Sequence, residues 1–135
     1  MPLVANTTSG ALSRARIASY IAASESVTPV TVTDAARTLT AAELLVSKLF
    51  TCTPTAARAF TTPTGAEIAA AVSDEVVGSS FEFTIVNLAA ATHAITLTAG
   101  ASGVTIVGAA AVSAATSGTF VGVVTAADTV SIYRK

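Results

Sequence analysis

The chain predicts an all-β fold: an antiparallel β-sandwich or barrel, jelly-roll-like, with one short helix near residues 64–73 and an extended N-terminal arm. Three observations carry this. From Gly78 onward the apolar residues recur with a period of two, the signature of strands with two distinct faces. Small-residue turns (GASG, ATSG, AAD) punctuate those runs at the short spacing of sandwiches and barrels. No strands alternate with long helical patterns, which a wound parallel α/β sheet would require.

The elements follow in order. Residues 1–26 form a polar, small-residue lead; residues 27–135 form the β-rich domain. Within the lead, Ile17, Tyr20 and Ile21 recur at helical spacing beside Arg14 and Arg16. They fit either a short amphipathic helix or an arm that orders on a partner. TPVTVTD alternates, with Val30 and Val32 on one side and Thr31 and Thr33 on the other. Thr40 and Glu43 have capping-box spacing for a brief helical turn. LLVSKLFTC then reads as a strand, and AARAFTT as another ending at Pro63. PTGAEIAAAVSD is the clearest helix. Thr64 and Glu67 make a capping box, the alanines have high helix propensity, and Ile68 and Val72 share a face. Beyond Gly78, Phe81, Phe83 and Ile85 point one way and Glu82, Thr84 and Val86 the other. ITLT, VTIVG, AAAVSA, TFVGVVT and TVSIYR complete the strands.

Composition limits function. Charged residues make up 11% of the chain, and from Phe83 to Ala127 there is no Asp, Glu, Lys or Arg. The formal charge of −1 supplies no cationic footprint for nucleic acid. No apolar run is long enough for a membrane helix, and the start lacks the basic and apolar regions of a signal peptide. A single cysteine, Cys52, gives no internal disulfide. Hydrophobic residues reach 52%, but Ala and Val dominate and aromatics are only 5%, so the expected core is thin. TFVGVVT is apolar on both faces, with Phe120 and Val124 on one side and Val121 and Val123 on the other. Such a strand wants cover on both sides, and a chain of 135 residues has few elements left to provide it. A closed oligomer burying the second face is the economical solution, with Phe120, Val121 and Val123 at its core or seam.

Candidate chemistry is sparse. His93 is the one histidine, so any Ser/His/Asp arrangement would have to use it, and no carboxylate is near it in sequence. Cys52 sits in strand context and reads as a small buried residue. Asp74 and Glu75 are adjacent at a helix end and splay apart, unlike a paired-acid site. Gly100-Ala-Ser-Gly103 is a GxxG between strands, without basic neighbours, and reads as a hairpin turn. Tyr133 reads as a sheet-face residue, although an aromatic there could stack on a sugar. No metal-ligand spacing occurs. With almost no titratable group in its second half, the chain points away from an enzyme, and no cofactor or metal is expected.

RTLTAAELLVSKLFTCTPTAARAFTTPTGAEI, VGSSFEFTIVN, HAITLTAGASGVTIVG and the terminal TVSIYRK together resemble a module of virion proteins from tailed bacteriophages, over residues 37–135. The resemblance implies a structural role on the exterior of the virion: a capsid cement (decoration) protein, usually a homotrimer, or else a head- or tail-fibre knob that binds a host glycan or receptor. The partners implied are further copies of the chain and the major capsid protein, with synthesis in the host cytoplasm. No catalytic residue carries over. Residues 1–36 lie outside the resemblance. By position, the lead becomes the capsid-binding arm, with Ile17, Tyr20 and Ile21 as apolar anchors and Arg14 and Arg16 pairing with capsid acids.

Overall fold

The computed structural model describes residues 27–72 and 76–135. Ten strands form two sheets. They are β1 (Val30–Thr31), β2 (Arg37–Thr38), β3 (Leu49–Cys52), β4 (Arg58–Thr61), β5 (Ser80–Asn87), β6 (Ile95–Thr98), β7 (Val104–Val107), β8 (Ala111–Val112), β9 (Thr116–Ala126) and β10 (Thr129–Arg134). The larger sheet has the order β1-β3-β5-β9-β10-β7 and the smaller β2-β4-β6-β8. Among the described residues, one α-helix, α1 (Gly65–Ala71), and a π-helical turn (Glu43–Ser47) join these strands.

The β-rich character and the short helix agree with the sequence. The pairing does not. Only β5–β9, β9–β10 and β6–β8 are antiparallel. The pairs β1–β3, β3–β5, β2–β4, β4–β6 and β7–β10 are parallel. The physical reason lies in the path of the chain. Strands β1 to β6 alternate between the sheets, so each pass adds one strand to both. Val30 aligns with Phe50 and Phe50 with Ile85 in one sheet; Arg37 aligns with Phe60 and Phe60 with Leu97 in the other. A parallel pair needs a crossover of a dozen or more residues, and here a strand of the opposite sheet serves as that crossover. The Gly100–Gly103 turn, which reads as a hairpin, instead passes from β6 in the smaller sheet to β7 in the larger, whereas the turn from β9 to β10 is a hairpin within one sheet.

One local expectation also changes. LLVSKLFTC is not one strand: Glu43–Ser47 is π-helical, and Lys48, at φ 62, ends that turn before β3 begins. The box that starts it is present, since Glu43 N–H donates to Thr40 Oγ1 (3.2 Å) and Thr40 N–H to Glu43 Oε2 (2.9 Å). The box on α1 is also formed, with Thr64 N–H donating to Glu67 Oε2 (2.8 Å) and Glu67 N–H to Thr64 Oγ1 (3.2 Å). These bonds satisfy donors that a helix start otherwise leaves unpaired.

Both sheets, the π-helical turn and α1 contribute to one core. It is less thin than composition suggests, because all five phenylalanines are buried in it. Phe83 stacks on Phe120 at 5.4 Å between ring centroids and on Phe81 at 6.2 Å, and meets Phe50 edge-on at 6.2 Å. Opposite Phe81 in register stands Gly122, where an added Cβ would lie 2.2 Å from the ring. The glycine therefore provides the space in which the Phe81 ring lies across β9. Phe120 belongs wholly to this core. It is fully covered within one chain, and the Arg134 guanidinium lies 5.2 Å from its ring centroid. Its expected place at a seam between copies is corrected accordingly: β9 turns Phe120 and Val124 inward, and only Val121 and Val123 face away.

Candidate interaction surface

Strand alternation builds the surface. In β5, Phe81, Phe83, Ile85 and Asn87 are buried, so Glu82, Thr84 and Val86 face outward. In β9 the outward residues are Thr119, Val121 and Val123; in β10, Ser131 and Tyr133; in β7, Thr105 and Val107. Register assembles these into rows across the larger sheet. One row runs Glu82–Val121–Tyr133–Val107. Another runs Ser80–Val123–Ser131–Thr105, and a third Leu49–Thr84–Thr119. Thr84 and Thr119 hydroxyls hydrogen-bond across the strands at 3.0 Å. This uses their polarity within the face and leaves their methyl groups as contact surface.

The π-helical turn and α1 send Leu44 and Ile68 into the core, on the other side of the larger sheet. The outward residues of the larger sheet are exposed or half-buried, in contrast to its inward set. Tyr133 and Val107 are each 41% exposed, while Val121 and Val123 are half-buried by their neighbours in the sheet. The ionic groups of its central rows are Glu82 and Lys135, which pair with each other at 3.1 Å. The outer face of the smaller sheet is narrower and carries Thr and Ala, with Thr61 and Thr98 hydroxyls bonded at 2.9 Å.

The candidate reactive groups do not come together. His93 precedes β6, and its backbone carbonyl accepts Asn87 Nδ2 at 2.7 Å. Cys52 is buried in β3, and burial pushes its thiol up, which opposes the thiolate a nucleophile needs. Asp74 and Glu75 lie outside the described residues, as do Arg14, Arg16, Ile17, Tyr20 and Ile21. The Gly100–Gly103 turn is a packing node. Gly100 N–H donates to Thr62 Oγ1, Gly65 N–H to Ser102 O, and Val130 N–H to Gly103 O, each at 2.8 Å. A Cβ on Gly65 would stand 2.1 Å from the Asp128 carbonyl, so the turn, α1 and the β9–β10 hairpin close on each other without side-chain space.

Among the described residues, no three His, Cys, Asp or Glu side chains converge as metal ligands. Two open depressions among the described residues are notable. One, of about 460 Å³, is lined by Val86, Leu88, Ala90 and Ser117 among others, without a titratable group. The other, of about 450 Å³, includes Leu39, Pro63 and Glu67, the last already engaged in the α1 cap.

Sequence reasoning missed the breadth of the outer face. Alternation in VTIV and SIYR places Val107 and Tyr133 outward, but only the parallel β7–β10 register makes them neighbours. It also missed Asn87, whose position at the end of an apolar strand was the available signal. None of the protein-family models, curated proteins or solved structures compared with the chain matches it.

Proposed function

We propose that this protein works by adhesion: a capsid decoration protein that binds the exterior of an assembled tailed-phage head as a homotrimer and stabilises it. The observation that carries the adhesive part is the broad outer face of the larger sheet, rich in Val, Thr and Tyr and almost free of charge. The capsid part rests on the sequence resemblance over residues 37–135. In this reading the two sheets are the layers of a sandwich-like body, and residues 1–26 are the arm that grips the shell. Stabilisation follows from mass action, since a ligand bound only to the assembled state raises the stability of that state.

Co-sedimentation with heads stripped of exterior proteins tests the reading. The full chain should pellet with heads and raise their temperature of disruption. Deleting residues 1–26 should leave a folded protein that no longer pellets. Equal decoration by the truncated chain would remove the arm from the mechanism, and no decoration by either form would remove the capsid.

A further inference from the structure

We propose that the outer face of the larger sheet, centred on the row Val121–Tyr133–Val107, is the contact surface between copies of this chain. The inference rests on the self-association in the preceding reading, but not on the capsid.

Size is the first argument. A strand residue covers about 16 Å² of sheet, from a spacing of about 4.8 Å between strands and about 3.3 Å along them. The strand residues of the six strands then make a face of roughly 550 Å² in plan, more with side-chain relief, against about 800 Å² per partner in a standard interface. A stable contact must therefore use nearly the whole face. That calls for an equally broad surface and not for a single strand or a loop. Further copies present sheets of the same width and twist, and around a three-fold axis three such faces enclose one shared apolar core, each meeting both others.

Charge is the second argument. The central rows hold one acid, Glu82, and one base, Lys135. A surface with one charge of each sign is complementary to itself, because Glu82 of one copy can meet Lys135 of the next. A strongly acidic or basic partner would gain from one of these charges and lose on the other. Elsewhere on the rows, Val121, Val123, Tyr133 and Val107 ask only for apolar cover, and the same residues on another copy supply it.

The test is assembly state. Val121→Lys places an ammonium at the centre of the face, beside its register neighbour Glu82, a pairing that a single folded chain tolerates. Tyr133→Lys does the same at an exposed position. Thr96→Lys, on the outer face of the smaller sheet, is the control. Native mass spectrometry and sedimentation at micromolar concentration should find the parent and Thr96→Lys assembled. Val121→Lys and Tyr133→Lys should run as single chains or associate about tenfold more weakly or worse, with an unchanged circular dichroism spectrum. A parent protein that stays single overturns the proposal, as do folded face variants that assemble as well as the parent, or loss of assembly in Thr96→Lys alone. Hydroxyl-radical footprinting of the parent needs no variant: Tyr133 should be protected when concentrated and labelled when dilute, and equal labelling overturns the contact. If deletion of residues 1–26 converts a single-copy parent into an assembly, the chain's own lead was the occupant and not a second copy. Single-copy protein that still decorates heads would remove this contact and leave the capsid reading; an assembly that ignores heads would do the reverse.

Discussion

Asn87 ends β5 in the core, and every polar atom of its amide is used. Nδ2 donates to the carbonyls of His93 (2.7 Å) and Val112 (2.9 Å), and Oδ1 accepts the N–H of Ala89 (3.0 Å). The side chain thus fastens the larger sheet to the loop before β6 and to β8. Leucine has similar bulk but would leave two carbonyls and an N–H without partners, and each unpaired buried group costs about 1–3 kcal/mol. Asn87→Leu should therefore lower unfolding free energy by about 2–4 kcal/mol in urea titration, with partial relief where water reaches the carbonyls. Residue-level features of this kind were only half legible. The inward set Phe81, Phe83 and Ile85 followed from a two-residue period, whereas the partners of Asn87 depend on strands far along the chain.

At the scale of elements, ion pairs tie the strands to the segments between them. Arg58, opening β4, meets Asp34 at 2.6 Å in the loop between β1 and β2, and the Thr55 hydroxyl donates to the same carboxylate. The Arg58 hydrogen bond, then that of Thr55, hold the Asp34 carboxyl far below the usual range. For Glu43, burial pushes upward, but the Thr40 N–H and the Arg37 guanidinium prevail and the group ends lower. Both groups therefore bind protons more readily in the unfolded chain. Their stabilisation is complete above the ordinary carboxylate range, about pH 4, and is lost as pH falls below it toward the lowered native values. Urea midpoints should hold steady from neutral pH to about pH 5 as far as these groups contribute, then decline below about pH 4. Asp34→Asn should be less stable at neutral pH and show a shallower acid decline. The element types were largely legible: both capping boxes stood in the sequence as Thr40/Glu43 and Thr64/Glu67. The direction of the strands was not, because a two-residue period is the same for parallel and antiparallel neighbours.

For the whole molecule, one face of the larger sheet lines the core and the other is the face proposed to meet further copies. If copies cover one another, folding and association are coupled, and apparent stability becomes a function of protein concentration. The thermal midpoint should rise by several degrees over a hundredfold increase in concentration, and Tyr133→Lys should abolish the dependence. The two apolar sides of β9 were legible in TFVGVVT. The extent of the surface was not, since its rows join β5, β9, β10 and β7 through contacts distant in sequence.

The position of β10 has a consequence for biosynthesis. Within its sheet β7 touches only β10, and β9 with β10 fills the space between β7 and β5. A nascent chain that has emerged as far as Gly108 thus holds a strand with no neighbour to receive it. The final hairpin acts as a wedge, and the larger sheet closes only once Arg134 has left the ribosome. Emergence of β10, more than the appearance of any earlier segment, sets the moment at which the larger sheet can become native.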